Sequence, residues 1–398
     1  MLRAHRIELN PNNKQATYFA KASGVARFAY NWALAEWMRR YEAGEKPNQL
    51  LLRRELNAIK REQFPWMLEV TKNAPQMAII QLGEAFQHFF KKRARYPQFR
   101  KKGIHDRFTL TNDQFALNDS RMRIPNLGWV RMRESLRFVG KVLSATISRK
   151  ADRWFVSIAV DIETPKVNSH IRENQAEIGV DLGVSNFATL STGEVIPGPK
   201  PHKALLQRLR RLSKNLSRKQ KGSSNRKKAK LKLAKLHYRI ANIRRDALQQ
   251  LTTRLTRDYS LICIEDLHVK GMIRNRRLSR SIADMGFHEF RRQLEYKAAV
   301  NDVKIVVADR WFASSKRCSA CHYQLSELPL SVREWQCPSC GARHQRDINA
   351  AINLKHWAVS STVTACGATS GGVVAFAITS HVAMKQEASV ISGLSRNE

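Results

Sequence analysis

Four cysteines stand in two closely spaced pairs, in the segments CSAC and CPSC, with fifteen residues between the pairs. The pairs are Cys318 with Cys321 and Cys337 with Cys340. Two such pairs joined by a hairpin supply four thiolates, which bind Zn²⁺ as a tetrahedron at about 2.3 Å. We therefore predict one structural zinc ion in a closed shell that leaves no position for a reactive water. The nearby His322 and His344 are interpreted as surface residues or nucleic-acid contacts and not as ligands.

Three acidic residues stand where an apolar strand or helix would otherwise exclude charge. Asp181 ends the run EIGVD, Glu265 ends LICIE, and Asp347 opens DINAAIN. Carboxylates that follow adjacent parallel strands meet at one edge of a sheet. Hydrolysis of a phosphodiester by two Mg²⁺ ions needs such hard oxygen ligands, so we predict that the three acids bind magnesium and are catalytic. In the alternative interpretation, Asp347 caps a helix and Asp181 forms a turn.

The charge of the chain indicates a polyanionic partner. Its 398 residues carry 70 Lys and Arg against 33 Asp and Glu, for a formal net charge of +37. Neutralising the roughly 6–10 phosphates that one module contacts needs far fewer cations, which favours a long nucleic acid or two of them. We find no apolar run of about 18 residues and no amphipathic anchor, so we expect no membrane partner and a cytosolic, nucleoid-associated protein.

One segment concentrates this charge. Residues 203–245 contain 17 Lys or Arg and no acid, and their leucines keep a three-four spacing typical of two paired helices. A basic, Gly- and Ser-containing turn is expected at 217–230. We predict phosphate contacts here, although a solvated helical hairpin would show the same pattern. The predicted contacts are Arg208, Arg211, Lys219, Lys221, Arg226, Lys227 and Lys228, together with Arg343 and Arg346 beside the last cysteine pair.

Hydrophobic periodicity divides the chain into a β-rich part with inserted helices and an α/β part. Alternating runs such as VLSATIS and WFVSIAV predict an antiparallel sheet, which we interpret as a β-barrel. Strands that alternate with helices after residue 176 predict an α/β layered domain. The expected boundaries are 1–165 for a nucleic-acid recognition domain with helices at about 14–95, 176–360 for the α/β domain with the hairpin 203–250 and the zinc ribbon 314–344, and 361–398 for a poorly ordered tail.

Four motifs in order resemble the TnpB (OrfB) family of insertion-sequence proteins, which are related to type V CRISPR effectors. They are GVDLGVSNFATLSTG (179–193), IEDLHVKGM (264–272), DRWFASSKRCSAC (309–321) and CPSCGARHQRDINAAIN (337–353). The resemblance covers about 178–357. The sequence departs from the usual family pattern at Ala313, His322 and Gln345, where proline, glycine and an acid are common.

The resemblance implies an RNase H-like, RuvC-type nuclease domain with an inserted zinc ribbon, in which Asp181, Glu265 and Asp347 fall on the catalytic positions. It implies an RNA-guided DNA endonuclease that cuts double-stranded DNA beside a short motif, using a guide RNA from the element's own end and acting as a monomer in the ribonucleoprotein. In such enzymes the guide reads the target by base pairing. Two alternatives stay open: a non-catalytic RNA-guided or direct DNA-binding regulator, and a transposase that joins strands itself.

Overall fold

The computed structural model describes residues 1–163 and 176–367, with side chains up to residue 361. These residues form two compact units. Unit one contains 1–163, 199–254 and 269–297, and unit two contains 176–198, 255–268 and 298–367. The predicted linker and most of the predicted tail lie outside the described residues.

Unit one is built on a seven-stranded antiparallel sheet. The strands are β1 (Leu2–Asn10), β2 (Arg107–Thr111), β3 (Ala116–Asn118), β4 (Arg121–Ile124), β5 (Gly128–Met132), β6 (Lys141–Lys150) and β7 (Arg153–Asp161). Their order is β2-β6-β7-β1-β5-β4-β3, so β2 and β3 are two separate edges, and no pairing joins them within the described residues. The antiparallel sheet is as predicted, but the closed barrel is not confirmed, because alternation specifies which face of a strand is buried and not whether the end strands pair.

Three helices lie between β1 and β2 in the chain, in the region where the sequence predicts a helical insertion. They are α1 (Asn13–Glu42), α2 (Gln49–Gln63) and α3 (Asn73–Phe90). Asn12 and Gln15 form a reciprocal capping box that starts α1. The buried ring of Phe19 then packs 5.2 Å from Trp154 of β7 and 6.1 Å from Phe108 of β2, which joins the helices to the sheet in one core.

The basic hairpin also belongs mainly to unit one. Its helices are α4 (Pro201–Ala204), α5 (Leu206–Ser217) and α6 (Ser224–Asp258), followed in the chain by α7 (Val269–Arg274), α8 (Ser279–Met285) and α9 (Phe287–Asn301). Lys235 of α6 pairs with Asp152 at 2.7 Å, and the Tyr238 ring lies 6.0 Å from Phe155 of β7. Within the described residues, 199–254 group with the N-terminal sheet in unit one, whereas the sequence prediction places 203–250 with the α/β domain; the domain assignment of the hairpin stays a prediction.

Unit two contains a mixed five-stranded sheet covered by one long helix. The strands are β8 (Glu177–Leu182), β9 (Ala188–Leu190), β10 (Val195–Ile196), β11 (Leu261–Glu265) and β12 (Lys304–Ala308), in the order β10-β9-β8-β11-β12. The first three form an antiparallel meander, and β11 runs parallel to both β8 and β12. Helix α10 (Arg346–Gly367) packs on β8 and β11, which confirms the predicted α/β layering.

A short hairpin of β13 (Glu334–Gln336) and β14 (Arg343–Gln345) precedes α10 and carries the second cysteine pair between its strands. Across the described ranges 1–163 and 176–367, none of the helices combines the length and the apolar character that crossing a bilayer requires.

Candidate functional site

The three predicted carboxylates come together at one edge of the unit-two sheet. Val180 of β8 lies opposite Ile264 of β11 in parallel register, so the next residues, Asp181 and Glu265, stand side by side at the carboxyl ends of the strands. Asp347 lies in the first turn of α10, and the negative charges of Glu265 and Asp347 both raise the pKa of Asp181. Three acids from three elements are thus close enough to act on one another.

The electrostatics of this cluster favour a bound cation. Burial is the largest cause of the raised pKa of Asp181, followed by its two acidic neighbours, while Arg346 and Arg333 oppose the rise. Burial also raises the pKa of Glu265. Like-charged carboxylates held together in a poorly solvated place resist ionisation unless positive charge is supplied. Hard divalent cations such as Mg²⁺ take oxygen ligands of this kind, so these carboxylates are of the chemical type that could hold one.

A glycine lets α10 approach the sheet at this point. A Cβ added to Gly179 would lie 1.9 Å from the carbonyl oxygen of Ala351 and 2.6 Å from the amide nitrogen of Lys355, which is closer than atoms can come. Gly179 is two residues before Asp181 on the same face of β8, and Ala351 is one turn after Asp347 on the same face of α10. The closeness of strand and helix therefore places Asp347 beside Asp181.

The first turn of α10 is capped by Gln345 and not by Asp347, which was the alternative interpretation of Asp347. The side-chain oxygen of Gln345 accepts the Ile348 N–H at 2.7 Å and so caps the helix. The Asp347 carboxylate instead accepts a hydrogen bond from Arg333 at 3.3 Å. Gln345, one of the departures from the family pattern, thus has a structural role here.

Glu265 is oriented by a residue that sequence reasoning missed. The hydroxyl of Ser314, which is buried, donates to Glu265 Oε1 at 2.7 Å, and this bond works against the raised pKa of the carboxyl. Asn353 of α10 donates in turn to the carbonyl oxygen of Ser314 at 2.8 Å. Asn353 and Asn349, both buried, also bond to the carbonyl oxygen of Arg317, just before the first cysteine. In the sequence, the only indication of these contacts is the pair of asparagines four residues apart among the apolar residues of DINAAIN.

The four cysteine sulfurs cluster as predicted. Their Sγ atoms all lie within 4.8 Å of one another, with Cys318 to Cys340 at 3.7 Å and Cys321 to Cys337 at 3.6 Å. A tetrahedron with bonds of about 2.3 Å has edges of about 3.8 Å, so these separations suit one Zn²⁺ ion. His344, which is partly exposed, places its Nε2 atom 3.0 Å from Cys318 Sγ and so lies beside the sulfur cluster.

The predicted nucleic-acid contacts divide into exposed cations and two structural arginines. Arg226 donates to the carbonyl oxygens of Leu216 and Lys219 and so closes the end of α5. Arg346 is buried and donates to the carbonyl oxygen of Pro329. Both arginines thus bond to backbone carbonyls of the protein, and their contact with a phosphate stays a prediction. The side chains that remain exposed are Arg208, Arg211, Lys219, Lys221, Lys227, Lys228 and Arg343.

Three lysines of the hairpin share a cleft. Lys219, Lys228 and Lys232 line a space of about 320 Å³ between α5 and α6, together with the amides of Asn215 and Asn225. No acid lines this cleft, which suits a phosphate group.

Three segments of the chain match models of known protein families. Residues 157–276 match the model of the OrfB family described as "Probable transposase", residues 287–354 match a Cas12f1-like TNB domain, and residues 1–46 match a helix-turn-helix domain of the same family. In this structure 1–46 holds strand β1 and the single uninterrupted helix α1.

Two relatives are similar over nearly their whole length. A Streptomyces pristinaespiralis protein named "Putative RNA-guided DNA endonuclease" is 38% identical over 92% of this chain and 91% of its own. The Escherichia coli K12 protein of the same name with the suffix InsQ is 33% identical over 92% of this chain and 94% of its own. Among solved structures, the Cas12f1–sgRNA–target DNA complex has a similar fold, with a TM-score of 0.55 at 14% identity over 86% of this chain and 83% of that one. The chain therefore belongs to the TnpB (OrfB) family of insertion-sequence proteins.

Proposed function

We propose that this protein is an RNA-guided, Mg²⁺-dependent DNA endonuclease of a transposable element, with an RNase H-like, RuvC-type catalytic unit formed by unit two. One observation carries the proposal: Asp181, Glu265 and Asp347 converge at the carboxyl edge of a mixed sheet, where burial and the charges of Glu265 and Asp347 raise the pKa of Asp181. The near full-length relatives named as RNA-guided DNA endonucleases support the same assignment.

The residues of the site have different proposed roles. Asp181, Glu265 and Asp347 would hold the magnesium ions, which when bound supply an activated water and neutralise the leaving oxygen of the DNA strand. Ser314 fixes the orientation of Glu265 through its hydroxyl. Arg333 donates a hydrogen bond to Asp347 and, with Arg346, opposes part of the rise in the pKa of Asp181, so a bound cation would supply the further positive charge that ionisation of this carboxyl needs.

The four cysteines would hold a structural zinc ion. Because Cys340 is seven residues before Asp347, the ribbon would stabilise the start of α10 and with it the third carboxylate. The exposed cations of the hairpin would contact phosphates of the guide RNA, and the double-stranded DNA target would be read by base pairing with that RNA. Cutting DNA beside a short flanking motif would support the maintenance and transposition of the element.

The test uses the full chain purified with the RNA that is co-expressed from its element. A double-stranded DNA that matches the guide should be cut in Mg²⁺ and left intact in EDTA, and a DNA with a scrambled target sequence should stay intact in both. Binding of the matched DNA without any cleavage in Mg²⁺ would instead identify an RNA-guided regulator. Joined DNA products would identify a strand-transferring transposase.

A further inference from the structure

The loop after β12 is tied to the carboxylate site at several points. This loop, 309–314, is called the Trp311 loop here. Arg310 forms an ion pair with Asp266, which directly follows Glu265. The Phe312 ring packs 4.6 Å from Trp357 of α10, and the Ser314 hydroxyl bonds to Glu265 itself. The loop is therefore fixed in place on both sides of its central residue.

The central residue, Trp311, nevertheless points into solvent. Its side chain is 86% exposed, the largest exposure of any aromatic residue that the structure describes. The turn that presents it is well defined: Asp309 accepts the Trp311 N–H at 2.8 Å through its side chain and the Phe312 N–H at 3.0 Å through its carbonyl. An exposed indole leaves a large apolar surface in water. Because the loop is fixed by these hydrogen bonds, the exposure of Trp311 is not explained by a mobile loop.

The loop also forms one wall of a cleft beside the site. The cleft has a volume of about 180 Å³ and is lined by Glu265, Asp266 and His268 from the end of β11 onward and by Asp309, Arg310 and Phe312 of the loop. A strand that reaches Glu265 through this cleft passes the residues on either side of Trp311. Arg310 lines the same cleft, where its guanidinium is paired with Asp266.

We propose that Trp311 is a stacking platform for an unpaired base of the DNA strand that enters the carboxylate site. Aromatic side chains hold single-stranded nucleic acid by stacking on base faces, a contact that tolerates any sequence, as a guided nuclease requires. The stacked base would lie one or a few nucleotides from the scissile phosphate and would steady the strand beside Glu265. This inference rests on the proposed function, because it takes a DNA strand to be the substrate of the site.

The test measures binding in EDTA, so that it does not depend on cleavage. The full chain with its RNA is titrated into single-stranded DNA 20-mers that carry 2-aminopurine at successive positions. Stacking on the indole should quench one position most strongly. Trp311→Ala should weaken binding at least about fivefold, the lower end for one base–aromatic contact. Trp311→Phe should stay within about twofold of the wild type, because it keeps an aromatic face.

Trp311→Leu separates stacking from simple apolar contact, since it keeps bulk but has no ring. It should behave like Trp311→Ala, and an abasic site at the quenched position should abolish the difference between wild type and Trp311→Ala. Zinc content shows that each variant is folded. The platform is disproved if Trp311→Leu binds DNA as tightly as the wild type. It is also disproved if the 2-aminopurine fluorescence is the same in the wild type and in Trp311→Ala at every position. Both outcomes hold even when the protein cuts DNA. If the quenching depends on Trp311 but matched DNA is never cut, the platform stands and the nuclease proposal fails.

Discussion

Gly179 of β8 and Ala351 of α10 are in backbone contact so close that a single Cβ on Gly179 would lie 1.9 Å from the Ala351 carbonyl oxygen. Asp181, two residues after Gly179, and Asp347, one helical turn before Ala351, are two of the three carboxylates of the candidate site. The approach of helix to strand is therefore part of the geometry of the proposed catalytic site, and not only of the core.

Gly179→Ala should strongly reduce cleavage while leaving guide RNA bound. The new methyl group meets backbone atoms, so α10 must move and carry Asp347 away from Asp181. A shift of about 1 Å in a catalytic group can cost about 100-fold in rate, and we expect a loss of this size in single-turnover cleavage. Gly24→Ala is the matched control, because its nearest contact is a flexible Arg27 side chain at 3.8 Å and Ala suits a helix better than Gly. Equal rates for the two variants would contradict the positioning role.

Asp181→Asn should raise the thermal midpoint of the metal-free protein at neutral pH and abolish cleavage. Burial and two neighbouring acids raise the folded-state pKa of Asp181, so the folded protein binds the proton more tightly than the unfolded chain does. The metal-free protein should thus lose stability as pH rises from the ordinary carboxyl pKa through the raised value, and the amide should remove that loss. The exposed Glu327→Gln is the control and should change neither quantity. A lower thermal midpoint for Asp181→Asn than for the wild type in EDTA would show that burial and the neighbouring acids do not destabilise the Asp181 carboxylate.

Cys337→Ser should remove zinc and weaken cleavage, although the zinc performs no chemistry. Loss of one of four clustered thiols opens the coordination shell, and the ribbon that precedes α10 should then become disordered. The measurements are metal content by mass spectrometry and cleavage rate. Cys263→Ala, at a buried cysteine whose pKa is raised to about 12, should keep full zinc content. Zinc loss with undiminished cleavage would make the ribbon an independent binding module.

Removing the cleft lysines should lower the salt dependence of RNA binding. Each phosphate contact contributes about 0.7–0.9 to the slope of log K against log salt concentration, so Ala at Lys219, Lys228 and Lys232 should reduce the slope by about 2. The triple Arg variant keeps the charge and should keep the slope. An unchanged slope in the Ala variant would show that these lysines do not contact phosphates and that the cleft is solvated surface of the hairpin.

The sequence was most informative where chemistry depends on residue type and spacing. The two CxxC pairs predicted the sulfur cluster, and the acids at the ends of EIGVD and LICIE predicted the meeting of Asp181 and Glu265, because parallel register follows from strand–helix alternation. Gly179 and Ser314 could not be identified in this way, since their roles depend on which backbone approaches and which hydroxyl faces Glu265. Barrel closure could not be derived from the sequence, because alternation does not say whether β2 and β3 pair with each other. Nor does the charge of the hairpin say that Tyr238 packs on β7.

The most direct test of the central claim is the single-turnover rate at which the guide-loaded protein cuts matched double-stranded DNA in Mg²⁺, compared among Asp181→Asn, Glu265→Gln and Asp347→Asn. Each variant keeps the shape of its side chain and removes one charge from the cluster. If the three carboxylates form one metal site, each change alone should lower the rate at least about 10³-fold, and combining two should add little. Cleavage near the wild-type rate by any one of the three would contradict the account.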